Sequence, residues 1–272
     1  MKKKILGLLI ALGISIPTYA SITVSPTKIE LNANKIRNNY ATTAIEVKGD
    51  ATQPMRFKAY AGYFKITDQS SMNMSAKSDE YDISKKIRFV PSEFTIPPGK
   101  SQKVRVNVAN IKNLPDGESR AILYIEDINT KEVNIPNTSG IGAQLILKTR
   151  VGIPIYVDKG KFVKKADVET FEIVKKKDGL YTKAKIVSTG NSKIRYSGKY
   201  QIVQDKKLID EYVINGKVVG NNNHYIAEQK IKTEKIKGAG EYTIRMVMNY
   251  EDENGSKKNI KKETILRITG EI

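Results

Sequence analysis

Cysteine and tryptophan are absent from this 272-residue sequence, and histidine occurs once. Without cysteine there is no disulfide, no thiolate nucleophile and no Cys-based zinc site. The lone His224 lies in the polar stretch Asn221-Asn222-Asn223-His224. No nucleophile-elbow serine accompanies it, so Ser-His-Asp chemistry has no candidate. No glycine-rich phosphate cradle is present either. Glu251-Asp252-Glu253-Asn254-Gly255 lacks the spaced ligands of a calcium loop and reads as a hairpin tip. Asp79-Glu80-Tyr81-Asp82 offers carboxylates without a companion that marks a sugar site. The absences leave no catalytic set, metal site or cofactor to name.

Long apolar runs are also missing, except at the start. Lys2, Lys3 and Lys4 precede the apolar stretch Ile5 to Ile16, and Pro17-Thr18-Tyr19-Ala20 supplies small residues after it. This is the pattern of a secretory signal peptide over residues 1–20, with cleavage expected after Ala20. The run is short for a bilayer span, so export without membrane insertion of the mature chain is expected. The formal net charge of +18 falls to +15 once the three leading lysines leave. The remaining basic residues alternate with apolar ones instead of clustering, which makes nucleic acid a poor partner. Two readings of that charge stand: a solvated lysine-rich surface, or a basic groove for carboxylate-bearing proteins.

What fills the mature chain is alternation of period two. In Gln102 to Val108, Val104, Val106 and Val108 face one way, and Lys103, Arg105 and Asn107 the other. Phe94-Thr95-Ile96 ahead of it runs into the turn Pro97-Pro98-Gly99. Ala121 to Ile125, Ala143 to Leu147 and Val151 to Val157 complete a set of short strands. Later, Asp178-Gly179, Asn215-Gly216 and Asn254-Gly255 each read as a hairpin turn. Tyr242, Ile244, Met246, Met248 and Tyr250 share a strand face, and Ile265, Leu266 and Ile268 supply a last strand. Thr67 to Lys86 is polar and reads as a long, partly mobile loop. The expected fold is all-β: two immunoglobulin-like sandwiches, residues 21–157 and 158–272, joined at Asp158-Lys159-Gly160-Lys161 and set at an angle with a cleft between them.

Several stretches of the first half, in order, resemble the PapD-like periplasmic pilus-assembly chaperones. They are Val24-Ser25-Pro26-Thr27-Lys28-Ile29, Arg88-Phe89-Val90-Pro91, Phe94 to Val106, Leu114 to Arg120, and Thr149 to Val157. The second half, through Ser188-Thr189-Gly190-Asn191 and Gly238 to Tyr250, is similar more loosely. The resemblance implies a periplasmic chaperone, independent of ATP, whose partners are pilus or fimbrial subunits and an outer-membrane usher. It also implies strand addition to an incomplete subunit by the last strand of the first domain. Ile141, Ala143, Leu145 and Leu147 alternate as a donor strand requires, although a buried core strand alternates in the same way.

The family further holds the subunit's terminal carboxylate with two cations of the first domain. Lys28 matches the first of these, where arginine is usual. The second, usually lysine, falls on Gly152, and Arg150 is the nearest cation on that strand. The family's Arg-Pro pair falls on Tyr156-Val157, so an interdomain salt bridge from that arginine to Glu118 is not expected. These departures mark a divergent member. The alternative is a structural or adhesive surface protein that uses the same sandwiches as spacers.

Overall fold

The computed structural model describes residues 22–129, 131–135 and 143–270. The strands in the first half are β1 (Thr23–Ser25), β2 (Ile29–Asn32), β3 (Tyr40–Lys48), β4 (Met55–Gly62), β5 (Lys65–Ile66) and β6 (Met72–Asn73). They continue with β7 (Ile87–Val90), β8 (Glu93–Ile96), β9 (Ser101–Ala109), β10 (Gly117–Asp127), β11 (Lys131–Ile135), β12 (Ala143–Leu147) and β13 (Arg150–Lys159). The second half holds β14 (Ala166–Lys176), β15 (Gly179–Ser188), β16 (Ile194–Gln204), β17 (Lys207–Val219), β18 (Asn223–Lys230), β19 (Gly240–Glu251) and β20 (Lys257–Ile268). Helix among the described residues is limited to three short 3-10 turns.

Each half is a sandwich around its own core. Sheets ordered β1-β3-β9-β7 and β2-β13-β10-β4-β8 face one another in the first half. Between them Val104, Val106 and Val108 are fully buried beside Ile45 of the same sheet, with Phe57, Leu123, Ile125 and Ile155 opposite. The second half packs β14-β15-β18 on β17-β16-β19-β20. Tyr242, Ile244, Met246 and Met248 line its interior at 0 % exposure, as alternation on a one-sided strand demands. Leu266 and Ile268 join them, whereas Ile265 points out. The fold is all-β, two immunoglobulin-like sandwiches in one chain.

Two local expectations are corrected. Asn215-Gly216 is no hairpin turn: both residues lie inside β17, where Tyr196 pairs with Lys217 and Gly198 with Ile214. Two residues there oppose the single Ser197, a β-bulge. Gly216 suits it because a Cβ would stand 2.8 Å from the Tyr196 carbonyl oxygen. Thr67 to Lys86 is not a bare loop either. It contains β6, a bridge from Asp82 to Arg120, and a clasp on the second half. In the clasp Ser70 Oγ donates to the Val218 carbonyl at 2.6 Å and accepts from the Val218 N–H at 3.0 Å. Asn223 Nδ2 also donates to the Ile66 carbonyl, 3.1 Å away. Beneath this strap, Phe64, Ile66, Ile122, Tyr124 and Tyr156 form a small third core on the outer face of the β10/β13 sheet, with Val218 packed against it. Among the described residues no helix is long and apolar enough to cross a membrane.

Candidate functional site

β10 and β13 form a long antiparallel pair, from Gly117 opposite Lys159 to Glu126 opposite Arg150. The pair continues past the body of the sandwich. The Asp127 N–H donates to the Thr149 carbonyl at 2.9 Å, and β11 then pairs with β12 from Lys131↔Leu147 to Ile135↔Ala143. The β11/β12 ribbon is a sheet of two strands with no further neighbour among the described residues. Ala143, Leu145 and Leu147 are therefore on a strand of that ribbon, and Ile146 beside them is 62 % exposed. Ile141 lies outside the described residues.

The open edge runs on into β13. β2 is its parallel neighbour only from Ile155↔Ile29 to Asp158↔Asn32. From Arg150 to Pro154, β13 has β10 on one side and no strand on the other among the described residues. A proline within a strand suits such an edge, since its missing N–H breaks no ladder there. The edge ends where β2 begins, and the residue at that point is Lys28.

Lys28 does not stand with Arg150. Continuing the β2 register puts Lys28 level with Pro154, four residues on from Arg150, or about 13 Å along a strand. Arg150 is exposed and turned to its own sheet: its guanidinium lies 4.6 Å from the Tyr124 ring centroid, and Nη1 donates to Tyr60 Oη at 3.4 Å. The cations that do meet Lys28 come from the second half. Glu30 accepts from Lys28 Nζ at 3.1 Å, from Arg195 Nε at 3.1 Å, and is 3.3 Å from Lys193 Nζ. Burial pushes the Glu30 carboxyl up, but Lys193, Arg195 and Lys28 together outweigh it and hold the carboxyl down at about 2. A cavity of about 650 Å³ opens here between the halves, lined among others by Lys28, Glu30, Lys164, Arg195, Tyr250 and Lys257.

Behind this cluster lies a buried one. Lys193 Nζ reaches Glu118 Oε2 at 3.1 Å, with Lys193 3 % and Glu118 0 % exposed. The Lys193 N–H donates to the same oxygen at 3.1 Å. Ser192 Oγ donates to Asp158 at 2.7 Å, and Arg120 Nη2 to Asn221 at 2.7 Å. Burial, and then the Glu118 carboxylate, raise the Tyr156 hydroxyl to about 12. Its neutral ring is a platform for the Lys193 ammonium, 3.6 Å from the centroid. Glu118 thus has an interdomain ion pair whose cation is Lys193 of the second half; Tyr156 stands where the family's arginine would be, so no bridge comes from the end of β13. Nothing in the sequence signalled this, since a lysine after a Ser-Thr-Gly-Asn turn carries no mark of its partner.

The remaining candidates are structural. The His224 N–H donates to Asn223 within β18. Asp79 accepts from Tyr63 at 2.7 Å and pairs with Lys65 at 2.8 Å. Asp252 caps the β19–β20 hairpin by accepting from the N–H groups of Asn254 and Ser256.

Compared by sequence, the chain matches no protein-family model and no curated protein. Compared by structure, it is similar to solved chaperones. The YadV chaperone is 9 % identical with a TM-score of 0.47, over 89 % of this chain and 99 % of that one. The Pseudomonas aeruginosa CupB2 chaperone is 10 % identical at 0.41, over 88 % and 98 %. The SafB chaperone of Salmonella enterica, solved in complex with the SafA pilin, is 13 % identical at 0.40, over 90 % and 96 %. By structure, then, this chain is similar to solved chaperones at 9–13 % sequence identity.

Proposed function

We propose that this chain is a periplasmic chaperone that binds fimbrial subunits by lending them a strand. The observation that carries the reading is the open edge formed by β12 and the first half of β13, which ends on Lys28. A subunit that lacks one strand has an apolar groove and two unpaired sheet edges, a template for aggregation. Main-chain hydrogen bonds to the exposed edge complete its sheet, and alternate side chains fill its groove. Ile141, Ala143, Leu145 and Leu147 are the side chains assigned to that role. Each buried leucine contributes about 1.5–3 kcal/mol before association costs.

Lys28 is assigned the subunit's terminal carboxylate. Arg150, further along the open edge, contacts the added strand on the way. Folding energy of the subunit replaces ATP. Residues 1–20 direct export and are removed after Ala20, residues 21–157 and 158–272 act as two modules, and an outer-membrane usher receives the loaded subunit. The test is a comparison of tagged proteins recovered from the native periplasm. Wild type is expected to retain a small set of β-rich subunits that the Leu145→Asp/Leu147→Asp variant loses at an unchanged unfolding midpoint. Equal retention by both proteins sinks strand addition, and a variant that fails to fold assigns the leucines to a core.

A further inference from the structure

The fold gathers lysine at the end of the second half that is remote from the cleft. β14, β16 and β18 all run toward that end, and the turns that follow them meet there. The segments 175–179, 205–207 and 230–237 hold nine lysines and three carboxylates. Two contacts pack the last segment on β17: Lys235 Nζ donates to Asp210 at 2.7 Å, and Lys232 Nζ lies 5.7 Å from the Tyr212 ring centroid. A cavity of about 740 Å³ opens between the β14–β15 turn and residues 229–234, within the ~300–1,000 Å³ of small-molecule sites. Leu180 and Ile231 give it an apolar lining, tied together by the Ile231 N–H, which donates to the Leu180 carbonyl at 2.8 Å.

Charge at this cavity is out of balance. Lys176 pairs with Glu228, and Lys230, which lies across Gly179, pairs with Asp178 at 3.4 Å. Lys175, Lys177 and Lys232 also line it, all exposed and without a carboxylate in ion-pair reach among the described residues. Glu234 is the one lining carboxylate in the same condition. An inorganic anion would satisfy the lysines and leave the apolar lining unused. Nucleic acid bases would stack poorly, because Tyr181 and Tyr212 already carry Lys176 and Lys232 over their rings. An anionic phospholipid uses both the charge and the apolar lining. We propose that this end of the second half binds anionic phospholipid at a membrane surface, with a head-group phosphate on Lys175, Lys177 and Lys232 and chain methylenes against Leu180 and Ile231. Lys206, Lys207 and the 55 % exposed Leu208 extend the contact. The cleft is far off: β14 starts beside Lys164, which lines the cleft, and ends here after 11 residues, about 35 Å along a strand. A molecule held by this end keeps its open edge free, and the inference does not depend on strand addition.

Co-sedimentation of protein recovered from the periplasm with lipid vesicles tests it, at about 0.15 M salt. Wild type is expected to bind vesicles of equal parts phosphatidylglycerol and phosphatidylcholine and to ignore phosphatidylcholine alone. Lys175→Gln/Lys177→Gln/Lys232→Gln should weaken binding by about a hundredfold, at about fivefold for each lysine beside an anionic leaflet. Lys48→Gln/Lys103→Gln/Lys112→Gln removes the same charge from exposed positions of the first half and should leave binding almost unchanged. An equal loss in both triple variants assigns the binding to overall charge and overturns the site, as does wild type that ignores both kinds of vesicle. The source of the phosphate is settled by the amide resonances of Leu180 and Ile231. Short-chain phosphatidylglycerol should shift them at concentrations where inorganic phosphate does not. Equal shifts from inorganic phosphate would make this a free-anion site and overturn the lipid. An acidic peptide that shifts them while the vesicles stay bare would make it a protein-docking surface, and overturns the lipid as well.

Discussion

Glu30 is a half-exposed carboxylate on a short strand, yet three cations converge on it. Its folded pKa, about 2, lies below the ordinary 4.5. A depressed carboxylate adds stability above its unfolded pKa and loses it as pH falls through the folded value. The window therefore runs from about pH 5 down to about pH 2, and solvent screening reduces the effect at this exposure. The urea midpoint of the wild type should fall across that window, and Glu30→Gln should remove part of the fall. Superimposable pH profiles would mean that the cluster does not couple to folding. Lys193 and Glu118 behave differently because both are buried. Removing one partner strands the other charge, at about 3–5 kcal/mol. Lys193→Met should sit near the lower end, since Arg120 remains 3.8 Å from Glu118. Lys193→Met with Glu118→Leu should recover most of the loss in denaturant melts, and a double variant no better than the single one refutes a paired-charge origin.

The β11/β12 ribbon is the element whose stability is most clearly borrowed. A sheet of only two strands is marginal in water. Its amides should therefore exchange faster with solvent than those of Leu123 and Ile125 in the sandwich, and gain protection when a strand is added. Exchange as slow in the free ribbon as in β10 would contradict the open edge. β17 teaches a different lesson. Asn-Gly flanked by strand-like runs is the strongest short hairpin signal, but at Asn215-Gly216 it marks a bulge, because β16 supplies a continuous partner on both sides of it. Gly216→Val should lower the unfolding free energy by about 1–3 kcal/mol in denaturant melts, where an exposed turn would tolerate valine better. Asp178-Gly179 and Asn254-Gly255 do sit at hairpin ends, between β14 and β15 and between β19 and β20. The two cases differ only in what lies across the sheet, which local sequence does not encode. Period-two runs such as Val104 to Val108 and Tyr242 to Met248 were legible because their burial is a property of one strand and one face. The ion pairs that line the cleft were not, since Glu118 meets Lys193, and Glu30 meets Arg195, across more than 70 residues of chain.

At the scale of the whole molecule, the halves are joined by more than a linker. The strap, the buried ion pair and the Glu30 cluster all cross the boundary, and residues 66–72 belong to the same surface as Val218 and Asn223. The polar composition of Thr67 to Lys86 concealed this, because the strap bonds largely through Ser70 and backbone carbonyls rather than apolar side chains. Ser70→Gly, which deletes both bonds to Val218, should broaden small-angle scattering profiles and loosen the halves without unfolding either. An unchanged profile would assign their orientation to the ion pairs alone. The long β10/β13 pair has one more consequence. A load drawn along β13 from the arm acts parallel to the strand, so it shears ten paired positions together, from Glu126↔Arg150 to Gly117↔Lys159, instead of unzipping them one at a time. At its far end the same strand is tied through Asp158 to Ser192 of the second half. Tension on the arm is thus delivered to the whole body of the protein, while a pull at right angles would peel the five-pair ribbon first. The fold is mechanically strong in the direction in which a bound strand would be drawn away and weak across it.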